Sequence, residues 1–366
     1  MSDSIRILAI NPGSTSTKIS VFDDENETWS TKISHSSEEL AGFEHIFDQY
    51  DFRESVILGE LEKAGFEIAS FDGIVGRGGV VYPIEGGTYS VGEWLIEDLR
   101  RGVQGEHVSN LGAPIAKELA RLAGCPAFIV DPVVVDEMED IARYSGHPDI
   151  PRRSILHALN QKAVARKASA DLGRNYDDLN LIVVHLGGGI SVGAHSRGRI
   201  IDVNNALNGD GPFTPERSGG LPVGDLVDLC FSGKKTHGEI KRMIKGAGGI
   251  VAYLGTNDML QVEREIEQGN RVYRAVYEAM AYQVAKEIGA LSTVLSGRVD
   301  GIVITGGVAY DRNFVGWIRD RVSFIAEVMV YPGEREMEAL ALGALRVLRG
   351  QEQAREYDPA ERSGNG

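Results

Sequence analysis

The sequence predicts an α/β protein whose core domain occurs twice, and two observations carry that expectation. An apolar run at 5–10 passes through Asn11-Pro12-Gly13-Ser14-Thr15-Ser16-Thr17 into the alternating run Lys18-Ile19-Ser20-Val21-Phe22. This reads as two adjacent strands joined by a tight hairpin. The arrangement recurs. Leu181-Ile182-Val183-Val184 is apolar, His185-Leu186-Gly187-Gly188-Gly189 is a small-residue turn, and the run 190–194 is the returning strand. Each copy continues through a polar hairpin, at 23–26 and 196–198, into a third strand at 28–33 and 199–203. Two such units, each opened by a turn of small residues, predict a duplicated domain whose two turns face one cleft.

The bulk properties bound the function. At 366 residues the chain exceeds one ordinary core and fits two domains. A net charge of -15 argues against a general nucleic-acid or membrane surface, so any anion is expected to be held by local clusters. Cys125 and Cys230 are the only cysteines, which leaves no disulfide framework or zinc spacing. With no signal pattern and no membrane-length apolar run, a cytoplasmic protein is expected.

In chain order, the first turn is dense in donors. The hydroxyls of Ser14, Thr15, Ser16 and Thr17, backbone N–H groups and the Lys18 ammonium make a cradle for phosphate oxygens, and the Asn11 carbonyl could hold a metal through water. The competing reading is a polar turn with a solvated lysine. The segment 36–63 reads as helix, with Phe43, Ile46, Phe47 and Tyr50 at helical spacing. The short strand 72–75 ends in Gly76-Arg77-Gly78-Gly79, whose glycines would let a ligand approach and whose arginine could grip a carboxylate or phosphate, or simply face solvent. Helices follow at 93–101 and 110–122, then a buried strand at 126–130 that ends in Asp131-Pro132. Open α/β sheets place ligand chemistry at such strand ends, although Asp-Pro is also an ordinary turn starter.

The second half begins near residue 150 with a helix from about Pro151 that contains His157, a residue more often structural than functional in that setting. After the second strand triplet, the irregular segment 205–221 reads as a working loop, with Arg217 its only cation and a plausible second anion clamp. Helices are expected at 223–231, 235–245, 258–268 and 272–295. The last carries Tyr273, Val276, Met280, Val284 and Ile288 on one core-facing stripe. A strand at 301–304 leads through Thr305-Gly306-Gly307 to a helix from Asn313, a junction that brings backbone close to a phosphate or a flat ligand. A strand at 324–330 and a helix at 334–349 follow, with Glu336 and Glu338 in the helix's first turns. The segment 351–366 is expected to be a disordered tail.

Taken together, Asn11 to Lys18, His185 to Gly189, the Gly-Arg-Gly-Gly turn, Asp131 and Ile304-Thr305-Gly306-Gly307 resemble the acetate and butyrate kinase family, within the actin-like, sugar-kinase and heat-shock ATPase superfamily. The likeness covers nearly the whole chain. The form of the first turn, the His-Leu-Gly-Gly-Gly turn, the Thr-Pro-Glu-Arg-Ser-Gly-Gly loop and the chain's short length resemble the butyrate branch more than the acetate branch. The resemblance implies two ribonuclease H-like, actin-like ATPase domains around a central cleft: 1–150 with the helix 335–350, and 151–334. It implies ATP, Mg2+ and a short-chain carboxylate, butanoate before the others, giving ADP and an acyl phosphate, in a protein that is at least a homodimer.

By the same resemblance, Asn11 stands near the metal with a glutamate of the last helix, Glu338 being preferred to Glu336. Ser14, Ser16, Lys18, His185 and Gly187, Gly188 and Gly189 meet nucleotide phosphate, and Gly306, Gly307 and Tyr310 meet the adenosine. Arg77 holds the carboxylate, Asp131 lies beside the transferring phosphoryl group, and His157 stabilises its oxygens. The family's arginine before a Gly-Asp pair is missing, since Pro222-Val223 precede Gly224-Asp225, and Arg217 is its substitute. The alternatives are acetate, propionate or isobutyrate kinase activity on the same scaffold, and a non-catalytic nucleotide-binding protein.

Overall fold

The computed structural model describes residues 4–359, which fall into two compact units. One runs to Val135 and resumes at Arg335; the other is Asp136–Glu334.

The first unit holds a six-stranded sheet made of β1 (Arg6–Gly13), β2 (Ser16–Asp23), β3 (Asn26–Ser34), β4 (Gly73–Arg77), β5 (Thr88–Ser90) and β6 (Ala127–Val130), in the order β3-β2-β1-β4-β6-β5. Central β1, β4 and β6 run parallel and are apolar almost throughout, as strands covered on both faces must be. Edge strand β3 alternates, with every second side chain exposed. The helix Gly112–Ala123 starts against β4, where a methyl group on Gly76 would collide with the Gly112 carbonyl. The helix Glu336–Leu348 packs on β1, β4 and β6, and its Gly343 leaves room for the Val130 side chain.

Three expectations change in this unit. The segment 36–63 is not one helix. A capping box at Ser36 and Glu39 starts the short helix Ser37–Leu40, the chain breaks at Gly42, and Ile46–Gln49 forms a 3-10 turn leading into the helix Tyr50–Lys63. The tail is ordered as far as it is described. The Arg355 N–H donates to Thr88 O (2.8 Å), the Ser90 N–H donates to Arg355 O (2.9 Å), and the buried Tyr357 hydroxyl donates to Asp98 (2.7 Å). Residues 360–366 of that expected tail lie outside the described residues. The boundary near 150 also moves, because 136–150 packs with the second unit. Glu137 is buried there, pairing with Lys162 (2.9 Å) and accepting the Ile200 N–H (2.7 Å), and the Glu139 N–H donates to Ile201 O (3.0 Å).

The second unit holds β7 (Asn180–Leu186), β8 (Ile190–Ser196), β9 (Arg199–Val203), β10 (Gly301–Gly306) and β11 (Val328–Pro332), in the order β11-β10-β7-β8-β9. An antiparallel meander β7-β8-β9 is extended by parallel β10 and β11. The first unit has the same pattern, its meander β1-β2-β3 extended by parallel β4 and β6. The duplication is therefore one of topology as well as of turns. The 24-residue helix Arg271–Val294 buries Tyr277, Met280, Ala281, Val284 and Ile288 in the core of this sheet. The helix expected from Pro151 begins instead at Ala158, with His157 at its N-cap.

Candidate active site

In the first unit, three adjacent parallel strands deliver side chains at their carboxyl ends. Asn11 lies two residues before the end of β1, Arg77 is the last residue of β4, and Asp131 follows β6. One carboxylate ties the first two together. The Asn11 Nδ2 donates to Glu336 Oε2 (2.8 Å), and the Arg77 guanidinium pairs with Glu336 Oε1. Glu336 opens the helix Glu336–Leu348, whereas Glu338 pairs with Arg335 (3.3 Å). The acid beside Asn11 is thus Glu336 and not the preferred Glu338. One residue along a helix turns a side chain by about 100°, and two by about 200°. Glu336 and Glu338 therefore cannot share a face.

Asp131 is 3% exposed and sits at φ 38°. Its Oδ1 accepts the Gly87 N–H (2.7 Å), and its own N–H donates to Gly87 O (3.1 Å). A non-glycine residue at positive φ is strained, and here the strain is held by this reciprocal pair. The glycines around Arg77 serve packing rather than ligand approach: Gly78 lies on Pro132 and Gly79 on Asn110 and Leu99.

The first turn leaves Ser14, Thr15 and Lys18 exposed and Ser16 half-buried, with Lys18 opposite Asn11 in register, whereas Thr17, expected to join the cradle, turns its hydroxyl into the core. Sequence reasoning missed what supports it. Arg53, wholly buried, donates to Ser16 O (3.2 Å), Ser14 O (3.4 Å) and Thr17 Oγ1 (2.9 Å). Thr17 Oγ1 in turn meets His35 Nε2 (2.8 Å), a ring whose pKa burial and the Arg53 charge push down. A polar residue on a helix reads as solvated; only its burial reveals the buttress.

In the second unit, the Gly187-Gly188-Gly189 turn joins β7 to β8 and borders a cleft of about 580 Å³. Glu216, Asn257, Gly307, Tyr310 and Glu334 also line it. Gly306 adopts φ 95°, and a side chain there would strike the Leu186 carbonyl. Tyr310 is 69% exposed and lies over Gly333. Thr214 Oγ1 donates to Gly188 O (2.7 Å) and so pins the turn to the loop.

His185 is buried, its Nδ1 2.8 Å from Asn160 Oδ1 and its Nε2 3.3 Å from Glu334 Oε1. His157 stacks on it, with ring centroids 3.9 Å apart and 13° between planes. Arg217 is not a free clamp. Its guanidinium fills the space above Gly189 and donates to Ala206 O (2.7 Å), and its Nε is buried without a partner among the described residues. Burial lowers its pKa. Asn160, Gln161, Ser191, Thr214 and Glu334 were not singled out from the sequence. A polar run such as Asn160-Gln161-Lys162 on a helix that must also bury Leu159 and Val164 was the available signal.

A family model described as the acetokinase family matches residues 147–329. Butyrate kinase 1 and butyrate kinase 2 of Clostridium acetobutylicum are each 56% identical to this chain over 352 residues, covering 96% of it and 99% of the relative. Among solved structures, Porphyromonas gingivalis acetate kinase superposes with a TM-score of 0.76 at 18% identity, covering 94% of this chain and 100% of that one. A propionate kinase from Francisella tularensis superposes with a TM-score of 0.68 at 17% identity, covering 92% and 98%. A ROK family protein from Streptococcus pneumoniae gives 0.52 at 12% identity, covering 95% and 100%. These likenesses place each unit in the actin-like ATPase fold.

Proposed function

The chain belongs to the acetokinase family, and from that premise we propose that it transfers the γ-phosphoryl group of ATP reversibly to butanoate, giving butanoyl phosphate and ADP. The observation that carries the proposal is the convergence of Asn11, Arg77 and Glu336 at the ends of β1 and β4, beside the hydroxyl-rich turn.

The acceptor, with a carboxyl pKa of roughly 4 to 5, is ionised at neutral pH, so no base is needed to make the nucleophile. The obstacle is repulsion between two anions, and fixed positive charge and oriented N–H groups remove it. Arg77 holds the acceptor carboxylate through its planar fork. Asp131, locked by Gly87, orients the reacting groups rather than removing a proton. His157 donates to the transferring phosphoryl oxygens. Ser14, Ser16, Lys18, His185 and the Gly187–Gly189 turn bind phosphate, and Gly306, Gly307 and Tyr310 flank the adenosine. Arg217 shapes the turn from behind Gly189 instead of clamping the acceptor. Val80, Tyr82 and Val133 retain exposure near Arg77 and Asp131 and suit an alkyl chain, whereas Val81 and Val135 are core.

One carboxylate, Glu336, with the Asn11 amide oxygen fits Mg2+, which keeps several waters and leans on substrate phosphates. The described residues contain no cluster of three or more acidic, histidine or cysteine side chains that would form a protein-only cage. When bound, Mg2+ neutralises phosphate charge. We also read the protein as a cytoplasmic homo-oligomer. No helix among the described residues is long and apolar enough to cross a membrane.

Acyl phosphate trapped as the hydroxamate, with acetate, propionate, butanoate and isobutanoate compared, tests the assignment. Butanoate is expected to give the highest kcat/KM, and a higher value for acetate would replace it. Arg77→Ala is expected to lower kcat/KM for butanoate by at least about 100-fold, the scale of a lost charge-stabilising donor, with ATP affinity nearly intact. An unchanged rate removes Arg77 from the reaction.

A further inference from the structure

A continuous chain of hydrogen bonds, buried except at its last step, runs through the second unit and ends on His157. The Tyr176 hydroxyl meets His195 Nδ1 (2.7 Å), and His195 Nε2 meets Gln161 Oε1 (2.9 Å). The Gln161 Nε2 donates to Ser191 O (3.0 Å) and Ser191 Oγ (2.8 Å), and Ser191 Oγ meets His157 Nδ1 (2.9 Å). Gln161, Ser191 and His195 are wholly buried, and Tyr176 is nearly so.

The direction of every proton along this chain follows from one group that can only accept. The Ser191 backbone carbonyl must face the amide nitrogen of Gln161, so Gln161 Oε1 is turned to His195. An amide oxygen only accepts, so His195 carries its proton on Nε2. Burial together with the Lys162 and Arg166 charges keeps that ring neutral. His195 Nδ1 is therefore bare and takes the Tyr176 hydroxyl proton. At the other end Ser191 Oγ accepts from Gln161, and the His157 backbone N–H approaches the same oxygen (3.4 Å). The remaining Ser191 hydroxyl proton is left for His157 Nδ1.

Space for the relay is reserved on β8. A methyl group on Gly193 would lie 2.6 Å from Gln161 Oε1 and 3.3 Å from His195 Nε2. Nothing about β8 as a strand calls for glycine at that point, since glycine weakens strands and there marks a close approach.

We propose that the Tyr176–His195–Gln161–Ser191 chain is a positioning relay that fixes His157 as the tautomer bare at Nδ1 and protonated at Nε2. This rests on the kinase reading, in which His157 faces the transferring phosphoryl group. A proton on Nε2 makes that nitrogen a donor toward the oxygens on which charge gathers; a proton on Nδ1 would present a lone pair to an anion instead. Stacking against His185 fixes the plane of the ring, and the relay fixes which nitrogen is the donor.

The test reads the tautomer directly, by nitrogen-15 NMR of the imidazoles of the full-length protein at pH 8. The expected wild-type spectrum has His157 with an unprotonated Nδ1 and a protonated Nε2, and the reverse assignment overturns the proposal. In Ser191→Ala, His157 is expected to become a mixture of tautomers while kcat falls about 10- to 100-fold, the scale known for losing the partner that orients a metal-bound histidine. The KM for ATP is expected to hold. Ser191→Thr, which keeps the hydroxyl, restores both the single tautomer and the rate. A Ser191→Ala protein with an unaltered His157 spectrum overturns the proposal, and the wild-type spectrum decides the matter if that variant fails to fold. Failure of the kinase reading is separate and is read from the product: the wild type would then form no acyl phosphate, or His157→Gln would form it at the wild-type rate, whatever the tautomer.

Discussion

At the scale of single residues, two adjacent glycines in one motif do different things. Gly306 has φ 95° and a carbonyl where a side chain would go, whereas Gly307 is exposed with open space around it. Gly306→Ala is expected to cost about 2–4 kcal/mol, combining a forced left-handed backbone with a collision against fixed main chain. Gly307→Ala should stay within roughly 0.5 kcal/mol, as for other surface changes. Urea midpoints of the two variants check this, and equal losses would mean that the junction is not held by Leu186.

His195 supplies a second test at this scale. Its folded ring resists protonation, while the unfolded ring takes a proton near 6.5, so protons favour the unfolded chain. The stabilisation is complete above about pH 6.5 and declines as pH falls below it, by at most roughly 1.4 kcal/mol per pH unit. Urea unfolding of wild type and His195→Gln between pH 7.5 and 5.5 should show the steeper loss in wild type. Parallel curves would mean that the ring is not kept neutral by its surroundings.

At the scale of elements, legibility followed how local the causes were. The hairpin β1–β2 was readable because strand, turn and returning strand are consecutive, and the same holds for β7–β8. The pairing of Asn11 with Glu336 was not, because it joins residues far apart in the chain and depends on how the last helix is rotated on the sheet. The start of the helix at Ala158 was misplaced because proline at 151 looks like a first-turn residue, whereas the chain reaches the helix only after an irregular stretch. Arg53 and Gln161 were invisible as site residues, since side-chain polarity alone suggests solvent and both are wholly buried.

One element was placed correctly but carries a surprise. The helix Val223–Phe231 buries none of its residues, and it leaves Val223, Val227 and Phe231 exposed at 73%, 47% and 87%. An apolar helix that no other described residue covers suits contact with a second copy of the chain. On the homo-oligomer proposed above, the double change Val227→Glu and Phe231→Glu is expected to give monomers in sedimentation velocity. An unaltered mass would locate the contact elsewhere.

At the scale of the whole molecule, the first unit is sewn from both ends of the described chain. Its sheet is laid down by residues up to Val135, yet the helix Glu336–Leu348 that covers β1, β4 and β6, and the strand-like pairing of Arg355 with Thr88 and Ser90, come from beyond the entire second unit. A ribosome delivers the chain from one direction only. The earlier sheet must therefore wait, one apolar face bare, until the second unit has been made and its own core has had time to close. Synthesis order thus makes the middle of the chain self-sufficient first and leaves the beginning dependent on the end, so a stalled or clipped product would carry a finished second unit and an adhesive half-sheet.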